Sequence, residues 1–274
     1  MSAHGSCLFT RSRARIILHV CSAIAIWLAS DLGAEVASAQ TTASNSSAKL
    51  GADANGWEPP VLDNQIFAHV LFDQFEGRTN GPDNELRWDA QGWIGTDMNR
   101  FWFKSEGFVN NGTVSDGDQE ALYDRPIPRL RYFDVQVGVR EDLDSEPRRT
   151  WGALGIEGLA PHFFQFEPTF YFRDGGHLAG RVAGSYDLMI TQRLTVQPQF
   201  EMNFYSKSDP ARGIGTGFSD LDAGIRLRYE ISRKLAPYVG FAYSGKFGET
   251  ATLSRLAGMP VAEPRFVFGL RVWY

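Results

Sequence analysis

The stretch RLTVQPQFEMNFY, residues 193–205, decides the fold. Leu194, Val196, Pro198, Phe200, Met202 and Phe204 fall on one face of an extended chain, and Arg193, Thr195, Gln197, Gln199, Glu201, Asn203 and Tyr205 on the other. Successive side chains of a strand point to opposite sides, so this is a strand with one apolar and one polar face. The period is two, not 3.6.

The pattern recurs on both sides of it. Leu221, Ala223, Ile225, Leu227, Tyr229 and Ile231 oppose Asp220, Asp222, Arg226, Arg228 and Glu230. Phe133, Val135, Val137 and Val139 oppose Asp134, Gln136 and Arg140, and comparable runs fill most of the chain from Ile66 to Tyr274. About twelve strands are expected, over 66–76, 86–95, 101–109, 118–126, 132–141, 149–159, 163–173, 177–189, 193–205, 219–231, 236–246 and 263–274. Segments 66–76, 101–109 and 118–126 alternate less cleanly than the rest. Every second connection is short, while most of the others are longer, notably 206–218 and 247–262. Tight turns at one end and long loops at the other are the pattern of an outer-membrane barrel, with an even strand count leaving both termini on the turn side.

The polar faces carry Arg140, Arg181, Asp187, Glu201, Asp220, Asp222, Arg226 and Arg228. In a two-sheet sandwich these would meet water and the apolar faces would bury each other. In a sheet that closes on itself the charges line a lumen and pair there, and lipid takes the apolar side. The chain ends on Trp273 and Tyr274, an aromatic finish common to barrel strands of this kind. The expected fold is all-β, an antiparallel up-and-down outer-membrane β-barrel of about twelve strands. Mean hydropathy of -0.25 does not oppose this, because outward apolar and inward polar residues cancel in the average.

The N-terminus reads as an address. Arg11, Arg13 and Arg15 precede an apolar run from Ile16 to Ala29, and Ala37-Ser38-Ala39 offers a small-residue cleavage site. The run of about fourteen residues is shorter than the roughly twenty a spanning helix needs. Residues 1–39 are therefore expected to be a signal peptide, 40–60 a flexible periplasmic arm rich in Ser, Thr, Ala and Asn, and 61–274 the barrel. Both cysteines, Cys7 and Cys21, fall in the signal, so the exported chain has no thiol chemistry. A net charge of -5 argues against a nucleic-acid partner and leaves cations open.

Several ordered segments resemble the copper resistance protein B family: HVLFDQFEGR (69–78), RTWGALGIEGLAPHFFQFEPTFY (149–171), the long stretch 186–243 with its TQRLTVQP turn and RGIGTGFSDLDAGIRLRYE strand, and RFVFGLRVWY (265–274). The resemblance implies a monomeric outer-membrane protein of copper homeostasis that binds copper ions for sequestration or efflux, surrounded by lipid and working with copper-handling proteins of the periplasm. It brings no catalytic site. Many members have an N-terminal extension rich in Met and His; here the arm QTTASNSSAKLGADANG (40–56) has neither. A copper site would then lie on the barrel or its rims.

Copper(I) favours thioether and imidazole ligands, and copper(II) favours imidazole with carboxylate. The candidates are a rim group of Met98, His162 and Met189 at the turn end, and His69 with Asp73 on one face of the first strand, near Glu106 and Glu120. Each has a plainer reading: Met189 as an apolar strand end, His162 as an interfacial residue, and the carboxylates as part of a hydrogen-bonded plug of charges. Two other functions stay open. One is a narrow diffusion pore or a structural barrel that binds no metal. The other is a lipid hydrolase, which needs serine and histidine in hydrogen-bond reach on the lipid face; no apolar-face histidine has such a serine two or three positions away. No enzyme is expected.

Overall fold

The computed structural model describes residues 65–274, apart from 82, 83, 111, 131 and 144–148. The expected signal (1–39) and arm (40–60) lie outside the described residues. The strands are β1 (Phe67–Thr79), β2 (Asn84–Gly95), β3 (Arg100–Asn110), β4 (Thr113–Pro126), β5 (Phe133–Asp142), β6 (Arg149–Ala160), β7 (Phe164–Arg173), β8 (His177–Ser185), β9 (Leu188–Met189), β10 (Leu194–Tyr205), β11 (Gly217–Tyr229), β12 (Leu235–Lys246) and β13 (Ala262–Trp273). Neighbours in sequence pair antiparallel, and β13 returns to pair with β1, so the sheet closes. β8 and the two-residue β9 both pair with β10 and are two pieces of one stave. The barrel therefore has twelve positions round its circumference.

Alternation places side chains as the sequence pattern requires. On β12, Val239, Phe241 and Tyr243 are exposed on the outside, while Ala236, Tyr238 and Ala242 are buried within. Small inward residues make room for long ones on the next strand. Gly240 lies directly across from Arg226, and Gly138 from Leu122. A narrow barrel fills its interior by such alternation of small and large.

Irregular backbone lies within or next to the three untidy segments. In β1 the register with both neighbours slips after Phe72, with Asp73 as the extra residue opposite β2. Phe72 and Phe75, three apart, consequently both face outward, and Gln74, Glu76 and Arg78 become the buried set. Between β3 and β4 the register slips between Glu106 and Phe108, and Asp116 on β4 adopts a positive φ of 46°. A bulge swaps the parity of inside and outside, which blurs a period-two reading.

The loop end departs from expectation in two respects. β1, β2, β3 and β4 run further than their alternation suggested, so only a few residues part Thr79 from Asn84 and Asn110 from Thr113. Among the described residues the long connections are 206–216 and 247–261. The second of these also contains a helix, α1 (Gly248–Leu256), where a plain loop was expected. The helix seals against the first long loop. Gly215 N donates to Thr250 Oγ1 at 2.8 Å, and Thr216 N and Oγ1 donate to Glu249 Oε2 at 2.8 and 2.9 Å. Phe247 stacks on Phe218 with centroids 4.7 Å apart. Glycine at 215 is required by contact, because a Cβ there would run into the backbone of Glu249 and Thr250.

Two outcomes follow from this architecture. Phe241 is 70% exposed on the outer face midway along β12. Phe241→Arg should cost about 2–4 kcal/mol of folding free energy in lipid vesicles, read by denaturant titration; an unchanged midpoint would mean that this face does not meet hydrocarbon. The hydrogen bonds from Thr216 hold the Glu249 carboxyl below its ordinary value of 4.5. Its folded pKa is depressed, so the loop contact is complete above pH 4.5 and is lost as the pH falls through the lower folded value. Exchange of the Thr216 amide proton, compared between wild type and Glu249→Gln, should show the extra protection at neutral pH and lose it in acid.

Candidate functional site

The inner faces of the strands carry arginines and carboxylates at positions that lipid cannot solvate, so each charge needs a partner inside. The loop-side half is built on β1, β2, β10 and β11. Arg78 donates from Nε to Glu76 at 2.7 Å and from Nη1 and Nη2 to both oxygens of Asp222 at 2.7 and 3.1 Å. Arg87 shares Asp222 at 2.9 Å and reaches Glu201 at 3.3 Å. Arg226 grips Glu76 through Nε at 2.9 Å and Nη2 at 2.8 Å. The Phe108 ring lies beside both Arg78 and Arg87, with its centroid 5.0 and 5.1 Å from their guanidinium carbons. Glu76, Arg78 and Arg226 are almost completely buried.

A second knot centres on Arg181, which pairs with Glu106 and lies 3.3 Å from Glu120. Tyr171 Oη donates to Glu120 at 2.6 Å. Arg140 pairs with Asp118 at 2.9 Å and with Asp142 at 3.1 Å, and its guanidinium stands 4.7 Å from the Tyr171 ring centre. Toward the turn end, Lys104 Nζ donates to Glu167 at 2.5 Å, Glu157 at 3.0 Å and Gln136 at 3.1 Å. Arg100 pairs there with Asp134 at 2.9 Å. Nearer the loop end the lumen widens into a cavity of about 170 Å³ that reaches Asp118, Glu201, Asp220 and Asp222, with Thr250 of α1 on its wall.

The sequence candidates are distributed rather than gathered. His69 points inward beside Trp93, ring centroids 6.2 Å apart. Asp73, the bulged residue, pairs with Arg271 at 2.7 Å. Glu106 and Glu120 are both taken up by Arg181. At the turn end Met98 lies on the β2–β3 turn, His162 on the β6–β7 turn and Met189 on β9. Met98 is 51% exposed and Met189 79%. His162 sits in the left-handed region at φ 71°. No group of three or more His, Cys, Asp or Glu with metal-binding geometry occurs among the described residues.

Sequence reading passed over the residues that organise the interior, chiefly Lys104, Trp102, Tyr171 and Glu76. The signal for Lys104 was present: Phe101 and Phe103 are exposed, and Trp102 and Lys104 alternate with them. It was obscured by the irregularity at Gly107, two residues beyond Ser105.

A family model described as Copper resistance protein B precursor matches residues 66–274. A protein of Escherichia coli named Copper resistance protein B is 38% identical over 214 residues, covering 78% of this chain and 72% of the relative. A Copper resistance protein B homolog of Pseudomonas syringae pv. tomato matches with the same identity and coverage. Among solved structures, the NanC porin superposes with a TM-score of 0.48 and 14% identity, over 75% of this chain and 99% of the porin.

The ion pairs make a thermodynamic expectation. Arg226→Met leaves part of a buried carboxylate uncompensated and should destabilise by about 3–5 kcal/mol. Adding Glu76→Gln to it should recover part of that loss, so the two changes are not additive in denaturant titrations of the refolded barrel. Strict additivity would show that the pair is not coupled.

Proposed function

Because the chain belongs to the copper resistance protein B family of the outer membrane, we propose that it serves copper resistance as a narrow, non-catalytic passage that copper ions meet as cargo, without an assembled metal centre. One observation carries this reading. Most of the lumen's carboxylates that could ligate a metal are already committed to arginine or lysine, yet a cavity of about 170 Å³ remains at the loop end. The link to copper comes from the relatives' names. Export through a cleaved signal within residues 1–39, and copper-handling partners in the periplasm, belong to the same proposal.

A second reading has an observation of its own. Met98 and Met189 present thioethers to solvent at the turn end, where soft copper(I) could be captured. The two are separated by measuring conductance of the purified protein in planar bilayers and titrating it with copper(I), copper(II) and zinc. The passage reading expects small ionic conductance and no preference for copper over zinc at equilibrium. A silent bilayer defeats it. Tight copper binding that disappears when Met98, Met189, His162 and His69 are replaced together would establish capture instead.

A further inference from the structure

We infer that the lumen selects for cations, with Asp89 and Asp220 as the carboxylates that set the preference and Lys104 as a tethered cation on the same route. This inference rests on the passage reading.

The first observation is an imbalance of charge in the loop-end cavity. Seven carboxylates line it against four arginines and one lysine. The arginines are held in place by their pairs: Arg87 by Asp222 and Glu201, Arg181 by Glu106 and Glu120, Arg140 by Asp118 and Asp142, and Arg212 by Asp142. Asp220 accepts a hydrogen bond from Asn203 Nδ2 at 2.9 Å but has no ion pair among the described residues. Asp118, only 2% exposed and on the same wall, leaves its Oδ1 without a hydrogen-bond partner. A buried carboxylate oxygen with no donor is an acceptor for whatever occupies the cavity.

The second observation lies deeper. Asp89 projects from the inner face of β2, directly across from Glu106 on β3. It has neither an ion pair nor a hydrogen bond among the described residues, and it lies on the inner face within the fields of Arg87 and Arg181. Glu106 opposite it is claimed by Arg181. Asp89 thus adds a negative charge in the middle of the barrel that no direct hydrogen bond or ion pair holds, where a passing cation gains and a passing anion loses.

The third observation shows that this interior already coordinates a cation. Lys104 sits two residues along β3 from Glu106, about 7 Å nearer the turn end. Its ammonium is held by three oxygens, from Glu167, Glu157 and Gln136, at 2.5 to 3.1 Å. Charge and donor set suit a mobile monovalent cation as well as a tethered one. A cation arriving from Asp89 competes with the ammonium for the cradle. An anion meets Glu157 and Glu167 and is turned back.

The test is the reversal potential of the purified full chain in planar bilayers under a potassium chloride gradient, for wild type, Asp89→Asn with Asp220→Asn, and Lys104→Gln. Asparagine keeps the size of aspartate and removes the charge. Wild type should pass potassium in preference to chloride. The double variant should lower that permeability ratio by roughly fivefold, the effect of losing a contact charge even under full water screening. Lys104→Gln should raise it. A heat-modified band shift on electrophoresis confirms that each variant is a closed barrel. Conductance that prefers chloride, or a ratio unmoved by the double variant, overturns the inference and leaves the passage standing. Absence of conductance in wild type removes the passage and the selectivity together.

Discussion

The seam between β1 and β13 is the constraint on which the rest depends. Leu71 pairs with Trp273 and Thr79 with Phe266, and Val70 and Tyr274 exchange backbone hydrogen bonds at 3.0 and 2.9 Å. Without that seam, two strand edges would present unpaired amide and carbonyl groups to hydrocarbon, at several kcal/mol for each group. With it, every strand has two neighbours, and no edge needs protecting. The aromatic C-terminus is therefore part of the closure: Trp273 and Tyr274 are the residues through which the first strand is reached.

Closure also creates the second problem, which is what to do with the inside. The inner faces are polar, so aliphatic packing cannot fill the space that the strands enclose. The chain resolves this with guanidinium groups. Arg78, Arg87 and Arg226 each present several donors in a plane, so a few side chains satisfy Glu76, Glu201 and Asp222 together. Aromatic rings supply the remaining contacts: Phe108 beside two of these arginines, and Tyr171 beside Arg140 and Arg181. Strand position and lumen chemistry are linked where a long residue has a small one across from it, as Arg226 has Gly240, or a long partner of opposite charge, as Arg87 has Glu76.

How far this was legible in the sequence depended on local regularity. β10 follows its alternation without interruption until Phe204, and its reading from residues 193–205 matches the observed Leu194–Tyr205. β1 was legible as a strand but not face by face, because the bulge at Asp73 exchanges inside for outside halfway along. His69 and Asp73 both lie on the inner face ahead of the exchange, as expected, but His69 stands beside Trp93 while Asp73 is spent on Arg271. The early start of β4 was hidden because Asp116, Gly117 and Asp118 read as loop while the strand runs on past them to Thr113. Helix α1 left little trace because it is short and one of its two ends depends on contacts from Thr216, thirty-three residues away.

The same reasoning explains why, among the described residues, so many carboxylates gather into no cluster of three or more His, Cys, Asp or Glu that could hold a metal. A carboxylate bound to two guanidinium groups, as Asp222 is to Arg78 and Arg87, must lose both before it can enter a coordination sphere. Each loss strips a buried cation of one of its partners, and the cost rises with every ligand recruited. Lone groups escape this penalty. Asp89 and the exposed thioethers of Met98 and Met189 can meet an ion without dismantling anything. The balance favours weak, single contacts with ions over a multidentate site, and weak contacts are what allow an ion to leave as readily as it enters.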